Sequence, residues 1–214
     1  MQASAALFCV NLADSERERL FSIGVRDAIL HICRMAVIMR CPINNTIRGD
    51  KQIMEIRKAT IKDLDAITAV EAECFPAAEA ADRNAFARRL AVYPDHFWLL
   101  YDGGTLVGFV NGMVTDEPDL TDEMYEKAEM HKPDGKWQMI FGVNTIPSYR
   151  RRGCAARLLE QAIQDAKEQG REGLVLTCKD KLVHYYAKFG FVSEGVSESV
   201  HGGVVWYQMR LRFA

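Results

Sequence analysis

The sequence predicts a mixed α/β domain: a mostly antiparallel seven-stranded sheet flanked by helices, in the order β-α-α-β-β-β-α-β-α-β-β. Three observations predict it. Behind Gly153, the residues Ala155, Leu158, Leu159, Ala162, Ile163 and Ala166 recur on one helical face, while Arg157, Glu160, Gln161, Gln164, Asp165 and Lys167 fill the other. Directly upstream, residues 137–146 form an apolar, β-prone run closed by Pro147, so a buried strand feeds that amphipathic helix. Two further β-rich runs, residues 97–101 and 105–114, flank Asp102-Gly103-Gly104, the signature of a hairpin.

The remaining elements follow in order. Residues 1–53 read apart from the rest, because Arg26, Asp27, His31 and Arg34 interrupt every window long enough to span a bilayer. The charged cluster at 14–19 and the lack of a small-residue cleavage site exclude an ordinary signal peptide. The expectation is a weakly ordered extension or an upstream-start artefact, with an amphipathic docking helix as its rival, and a domain covering 54–214 that opens on a short edge strand at 54–60. Thr60 and Asp63 resemble a capping box, after which Ile61, Leu64, Ile67, Val70 and Cys74 mark one helical face ending before Pro76. A second helix is predicted at 82–93, stopped by Pro94. Residues 116–133 form a polar, acidic insertion with a short helical piece at 123–130, placed where a lid or substrate loop would sit. Beyond the central helix, Gly170 supplies a C-cap, residues 173–178 a strand, Leu182, Tyr185, Tyr186 and Phe189 a short helical face, and 191–194 and 204–211 the last two strands.

With 214 residues, 49% hydrophobic and 26% charged, the chain is long enough for one well-buried core plus an appendage. A net charge of −2 gives no global field for nucleic acid. The six cysteines, at 9, 33, 41, 74, 154 and 178, show neither Cys-x-x-Cys nor histidines at zinc spacing, which points to reduced thiols in a cytoplasmic protein and to no metal. Basic residues gather at Arg150-Arg151-Arg152-Gly153-Cys154-Ala155-Ala156. A strand, a basic glycine-bearing turn and a helix make an anion site, since first-turn amides lack intrahelical partners and sit at the positive end of the macrodipole. This spacing is neither a P-loop nor Gly-x-Gly-x-x-Gly. Cys154, at a helix start beside arginines, is expected to have a lowered thiol pKa.

The Arg150–Ala155 turn matches the Gln/Arg-x-x-Gly-x-Gly/Ala motif, and from Met54 to the C-terminus the chain resembles the GCN5-related N-acetyltransferase superfamily. Cys178-Lys179-Asp180-Lys181-Leu182-Val183-His184-Tyr185-Tyr186-Ala187-Lys188-Phe189-Gly190-Phe191 resembles the matching segment of its arylalkylamine branch. The resemblance implies acetyl-CoA as co-substrate, its pyrophosphate on the amides of Arg151, Arg152, Gly153, Cys154, Ala155 and Ala156 with Arg150 alongside. Its pantetheine arm would pair with Val143, Asn144 and Thr145, next to a bulge at Gly142. It further implies that the Val143 amide donates to the thioester carbonyl, and that Tyr186, rather than Tyr185, is the general acid toward the sulfur. The branch's two strand histidines fall at Met139 and Phe141, which cannot relay a proton. Glu73 matches a carboxylate that insect members use as base; His184, His201 and solvent are the other acceptors.

The implied activity is direct acetyl transfer to the primary amine of a small molecule such as an arylalkylamine, by a monomer or homodimer. Two further classes stay open: a non-catalytic acyl-CoA-binding module, and a protein lysine or N-terminal acetyltransferase using the acidic insertion.

Overall fold

The computed structural model describes residues 54–214; the expectation for residues 1–53 lies outside the described residues. Strands are β1 (Glu55–Lys58), β2 (Phe97–Asp102), β3 (Thr105–Asn111), β4 (Val114–Thr115), β5 (Trp137–Ile140), β6 (Gly142–Thr145), β7 (Gly173–Cys178), β8 (Val192–Val196) and β9 (Tyr207–Arg212). Helices are α1 (Leu64–Cys74), α2 (Arg83–Val92), α3 (Glu123–Glu126), α4 (Cys154–Glu168) and α5 (Val183–Ala187). Two of the seven predicted strands are each broken in two, at Gly112-Met113 and at Phe141, so the sheet divides into two ladders, β1-β2-β3-β6 and β4-β5-β7-β9-β8. Among the described residues only β5 and β7 pair in parallel.

Helices cover both faces, which is why β2 is apolar on both. Its Phe97 and Leu99 join Ile67 of α1, Phe86 of α2, Phe109 and Met139 in one core. Its Trp98 and Leu100 join Leu158, Leu159 and Ala162 of α4 in the other. Asp82 caps α2, accepting from the Ala85 amide at 2.7 Å. The Thr60 amide and hydroxyl both donate to Asp63 Oδ2, at 2.8 and 3.0 Å, around the 3-10 turn that leads into α1.

The break at Phe141 has a backbone cause and a chemical consequence. The Phe141 amide donates to the Asn111 carbonyl at 2.8 Å, although the register sets Asn111 opposite Gly142; two residues therefore face one, a β-bulge. Beyond it the Ile146 amide donates to the Val107 carbonyl at 3.0 Å. Because backbone groups alternate direction along an antiparallel strand, Asn144 turns its amide and carbonyl toward β3, while Val143 and Thr145 turn theirs away. On that far side β6 has no strand neighbour among the described residues, and β7 continues past its last β5 pair, Ile140 with Leu176, through Thr177 and Cys178. The two ladders splay apart there, leaving a cleft.

Among the described residues no helix is long and apolar enough to cross a membrane.

Candidate active site

Two adjoining cavities occupy the splay. One, of about 450 Å³, is lined by Val143, Thr145, Tyr149, Arg150, Arg151, Gly153, Cys154, Ala155, Ala156, Tyr185 and Tyr186. The other, of about 310 Å³, lies between α1, α2, the bulge and the loop before β9, and includes Glu71, Arg89, Asn111, Phe141, His201 and Trp206. Phe75, Val143, Leu182 and Tyr186 line both, so they meet at the outward-facing amide of Val143 and at the one tyrosine expected to carry a proton.

The first cavity is a groove built for an extended ligand with an anionic group. Thr145 sends its carbonyl outward, where Arg150 Nε donates to it at 3.1 Å. Arg151 (φ 62°) and Gly153 (φ 79°) adopt left-handed backbone, which turns the chain into α4 and leaves its first amides without a side-chain cap. A Cβ on Gly153 would meet nothing within 4 Å, so a ligand can approach the backbone closely. Two expected members stand elsewhere. Arg152 stacks 4.8 Å from the centre of the Tyr149 ring, and Tyr149 donates to Asp102 at 2.8 Å. Asn144 lines neither cavity, because its backbone bonds β3 and its fully buried side chain leaves both amide atoms without a partner. Burial pushes the Cys154 thiol up, outweighing Arg157 and Arg152, which corrects the expected lowering. The groove offers an unpaired strand edge, open amides and two arginines.

In the second cavity the buried carboxylate is Glu71, two residues before the expected Glu73. Glu73 is exposed and lines neither cavity; successive helical residues turn by about 100°, so Glu71 lies nearly opposite, on the buried face with Leu64, Ile67 and Val70. Glu71 is 5% exposed. Its Oε1 accepts from the Ala81 amide at 3.1 Å, and its Oε2 has no partner. Burial raises the Glu71 carboxyl pKa, opposed by the Ala81 amide and the charge of Arg89. Burial likewise holds the Tyr186 phenol well above its usual range, so it stays protonated. Of the histidine alternatives, His184 is exposed outside both cavities. His201 lines the second, stacked at 5.1 Å on Tyr125, with Nε2 3.0 Å from the Glu79 carbonyl. At the vertebrate histidine positions, Met139 is fully buried in the core and Phe141 forms cavity wall.

Sequence reasoning missed Glu71, Arg89 and Asn111. A signal existed for the first two: each is a charged residue on the apolar stripe of its helix, Glu71 four after Ile67 and Arg89 three after Phe86. The insertion contributes Tyr125 and Glu126 to the wall and is tied down where Asp122 accepts from Ser199 Oγ at 2.5 Å and from the Val200 amide at 3.0 Å.

Comparisons with known proteins agree with this geometry. The model of the Acetyltransferase (GNAT) family matches residues 64–191. Over 160 residues the chain is 24% identical to serotonin N-acetyltransferase of Mesocricetus auratus, covering 73% of this chain and 76% of that one. Among solved structures, the loading GNATL domain of CurA from Lyngbya majuscula superposes with a TM-score of 0.65 at 18% identity, covering 75% of this chain and 98% of that one. The GphF GNAT-like decarboxylase in complex with isobutyryl-CoA superposes with a TM-score of 0.64 at 25% identity, covering 74% and 98%.

Proposed function

The chain belongs to the acetyltransferase (GNAT) family, and on that premise we propose that it transfers the acetyl group of acetyl-CoA directly to the primary amine of a small molecule. The observation that carries this reading is the meeting of two cavities at Val143 and Tyr186, one suited to coenzyme A and the other enclosed enough for a small acceptor. The thioester supplies an activated acyl group. Val143 and Thr145 present the backbone edge along which the pantetheine arm lies, and Arg150, Arg151 and the amides of Gly153, Cys154, Ala155 and Ala156 hold its pyrophosphate.

The Val143 amide donates toward the carbonyl oxygen, where negative charge grows as the amine attacks. An alkylamine is mostly protonated near neutral pH and must first lose a proton. Glu71 takes it: the carboxylate lines the acceptor cavity, has an unpartnered oxygen, and its raised pKa brings it nearer the working pH of a general base. Tyr186 keeps its proton over the same range and gives it to the departing sulfur. Glu71 thus replaces Glu73 in this scheme.

The test is CoA release on a panel of small primary amines, followed by absorbance, alongside calorimetry with acetyl-CoA. Turnover that depends on Tyr186 supports the proposal. Tight acetyl-CoA binding with no turnover on any amine overturns it in favour of a binding module.

A further inference from the structure

The acceptor cavity contains a charge arrangement that the reaction with a plain amine leaves unsatisfied. Of its lining side chains, Arg88, Asp82 and Glu126 are exposed, and Glu79 is ion-paired with Lys179 Nζ at 2.7 Å. Two buried charges remain, Glu71 and Arg89, each 5% exposed. Neither forms an ion pair among the described residues, and they do not pair with each other. Arg89 makes one hydrogen bond, from Nη2 to the Tyr125 carbonyl at 2.9 Å, and its Nε is buried without a partner. A buried guanidinium with an unused donor and no counter-ion is costly, because it has given up water without recovering an equal partner. Glu71 presents the mirror case: its Oε2 makes no hydrogen bond, although the Asn144 side chain lies near enough to help hold the carboxyl pKa down.

Two opposite charges that line one cavity without touching are complementary to a ligand that carries both. A lone amine answers Glu71 and leaves Arg89 unmatched; a diamine would set a second cation beside it. Arg89 lies 5.1 Å from the centre of the Phe141 ring, and the wall continues through Tyr125, His201 and Trp206, so its surroundings are mostly aromatic. One guanidinium already committed at Nη2 suits a single negative charge, such as a carboxylate, better than a dianion.

We infer that the acceptor is a primary amine that also carries a carboxylate, an amino acid in its zwitterionic form, with its ammonium beside Glu71 and its carboxylate on Arg89. This rests on the acyl-transfer reading above, and it makes Arg89 a specificity-determining residue. The protons balance: the ammonium gives one proton to Glu71, the freed amine forms the amide bond as the carbon–sulfur bond breaks, Tyr186 protonates the sulfur and is recharged, through solvent, by the second proton the nitrogen loses, and the carboxylate stays unchanged.

The experiment compares matched acceptors that differ only in the carboxylate: phenylalanine with phenethylamine, tryptophan with tryptamine, and γ-aminobutyrate with propylamine; spermidine is added as a carboxylate-free polycation. The expected result is kcat/KM higher for the amino acid in at least one pair by about tenfold to hundredfold, the worth of a charge-assisted hydrogen bond. In Arg89→Gln, which keeps a donor for the Tyr125 carbonyl, and in Arg89→Leu, that ratio falls toward one. Because the ratio compares two substrates on one preparation, it is unaffected by any loss of folded enzyme. Turnover favouring the carboxylate-free amines, or a ratio unchanged in both variants, overturns the inference and leaves acyl transfer standing. No turnover on any acceptor, with acetyl-CoA bound, overturns both.

Discussion

Glu71 and Glu73 differ by two positions on one helix, and that difference decides which of them lines the cavity. Glu71→Gln removes the proton acceptor and should lower kcat/KM about a hundredfold near neutral pH, whereas Glu73→Gln, on the exposed side, should leave it within a factor of about two. The pH dependence carries a sign. A base works only when ionised, and burial raises the pKa of Glu71, so the rate should climb with pH through a limb lying above the ordinary glutamate value of 4.5. A profile in which Glu71→Gln keeps that limb would exclude Glu71 as the base. Tyr186→Phe should cut kcat by about a hundredfold while acetyl-CoA affinity holds, since the hydroxyl is needed when sulfur departs. Equal loss in affinity and kcat would mark Tyr186 as wall alone. Stopped-flow and calorimetry on the same preparations separate these outcomes.

Among the elements, the turn into α4 and the side-chain contact that joins the entry of β2 to β5 carry distinct predictions. Gly153 sits at φ 79° with open space where a Cβ would go, so Gly153→Ala suffers backbone strain and no clash. Denaturant unfolding should show a loss of ~1–2 kcal/mol, and acetyl-CoA binding should weaken with it, because the strained turn aims the amides. Retained affinity would mean the pyrophosphate rests elsewhere. At the start of β2, His96 is buried with Nδ1 2.7 Å from Gln138 Oε1 of β5 and its ring 5.0 Å from His131. Burial pushes His96 down to about 4. Below pH 6.5 the unfolded chain therefore takes up a proton that the folded chain refuses until about pH 4, and stability declines across that window. The decline should reach up to ~3 kcal/mol, with His131, also held down by burial, adding to it. His96→Gln should flatten much of this dependence in denaturant titrations from pH 7 to pH 4; an unchanged slope would place the titrating group elsewhere.

At the scale of the whole molecule, function depends on a sheet that fails to close. If β6 paired with β7, the outward amide and carbonyl of Val143 and Thr145 would be spent on the ladder; the bulge at Phe141 and Gly142 keeps them available. Coenzyme binding should then stabilise the described domain as a unit: acetyl-CoA at a hundred times its Kd should add ~2.7 kcal/mol to the unfolding free energy, read as a rise in Tm. No rise would remove the coenzyme from the scheme. By itself the sequence determined the fold class, the hairpin, the helix α4 and the basic turn before it, because hydrophobic period, Gly placement and cap residues act over a few neighbours along the chain. It also drew Tyr186 and Val143 together through a family likeness. The tertiary structure alone decided that Glu71 and Arg89 face one cavity while Glu73 looks to solvent. It also decided that Cys154 is held up by burial against the pull of its arginines. Each of these turns on which side chains lose water and what stands opposite them once they have, and that is settled by packing between elements far apart in sequence.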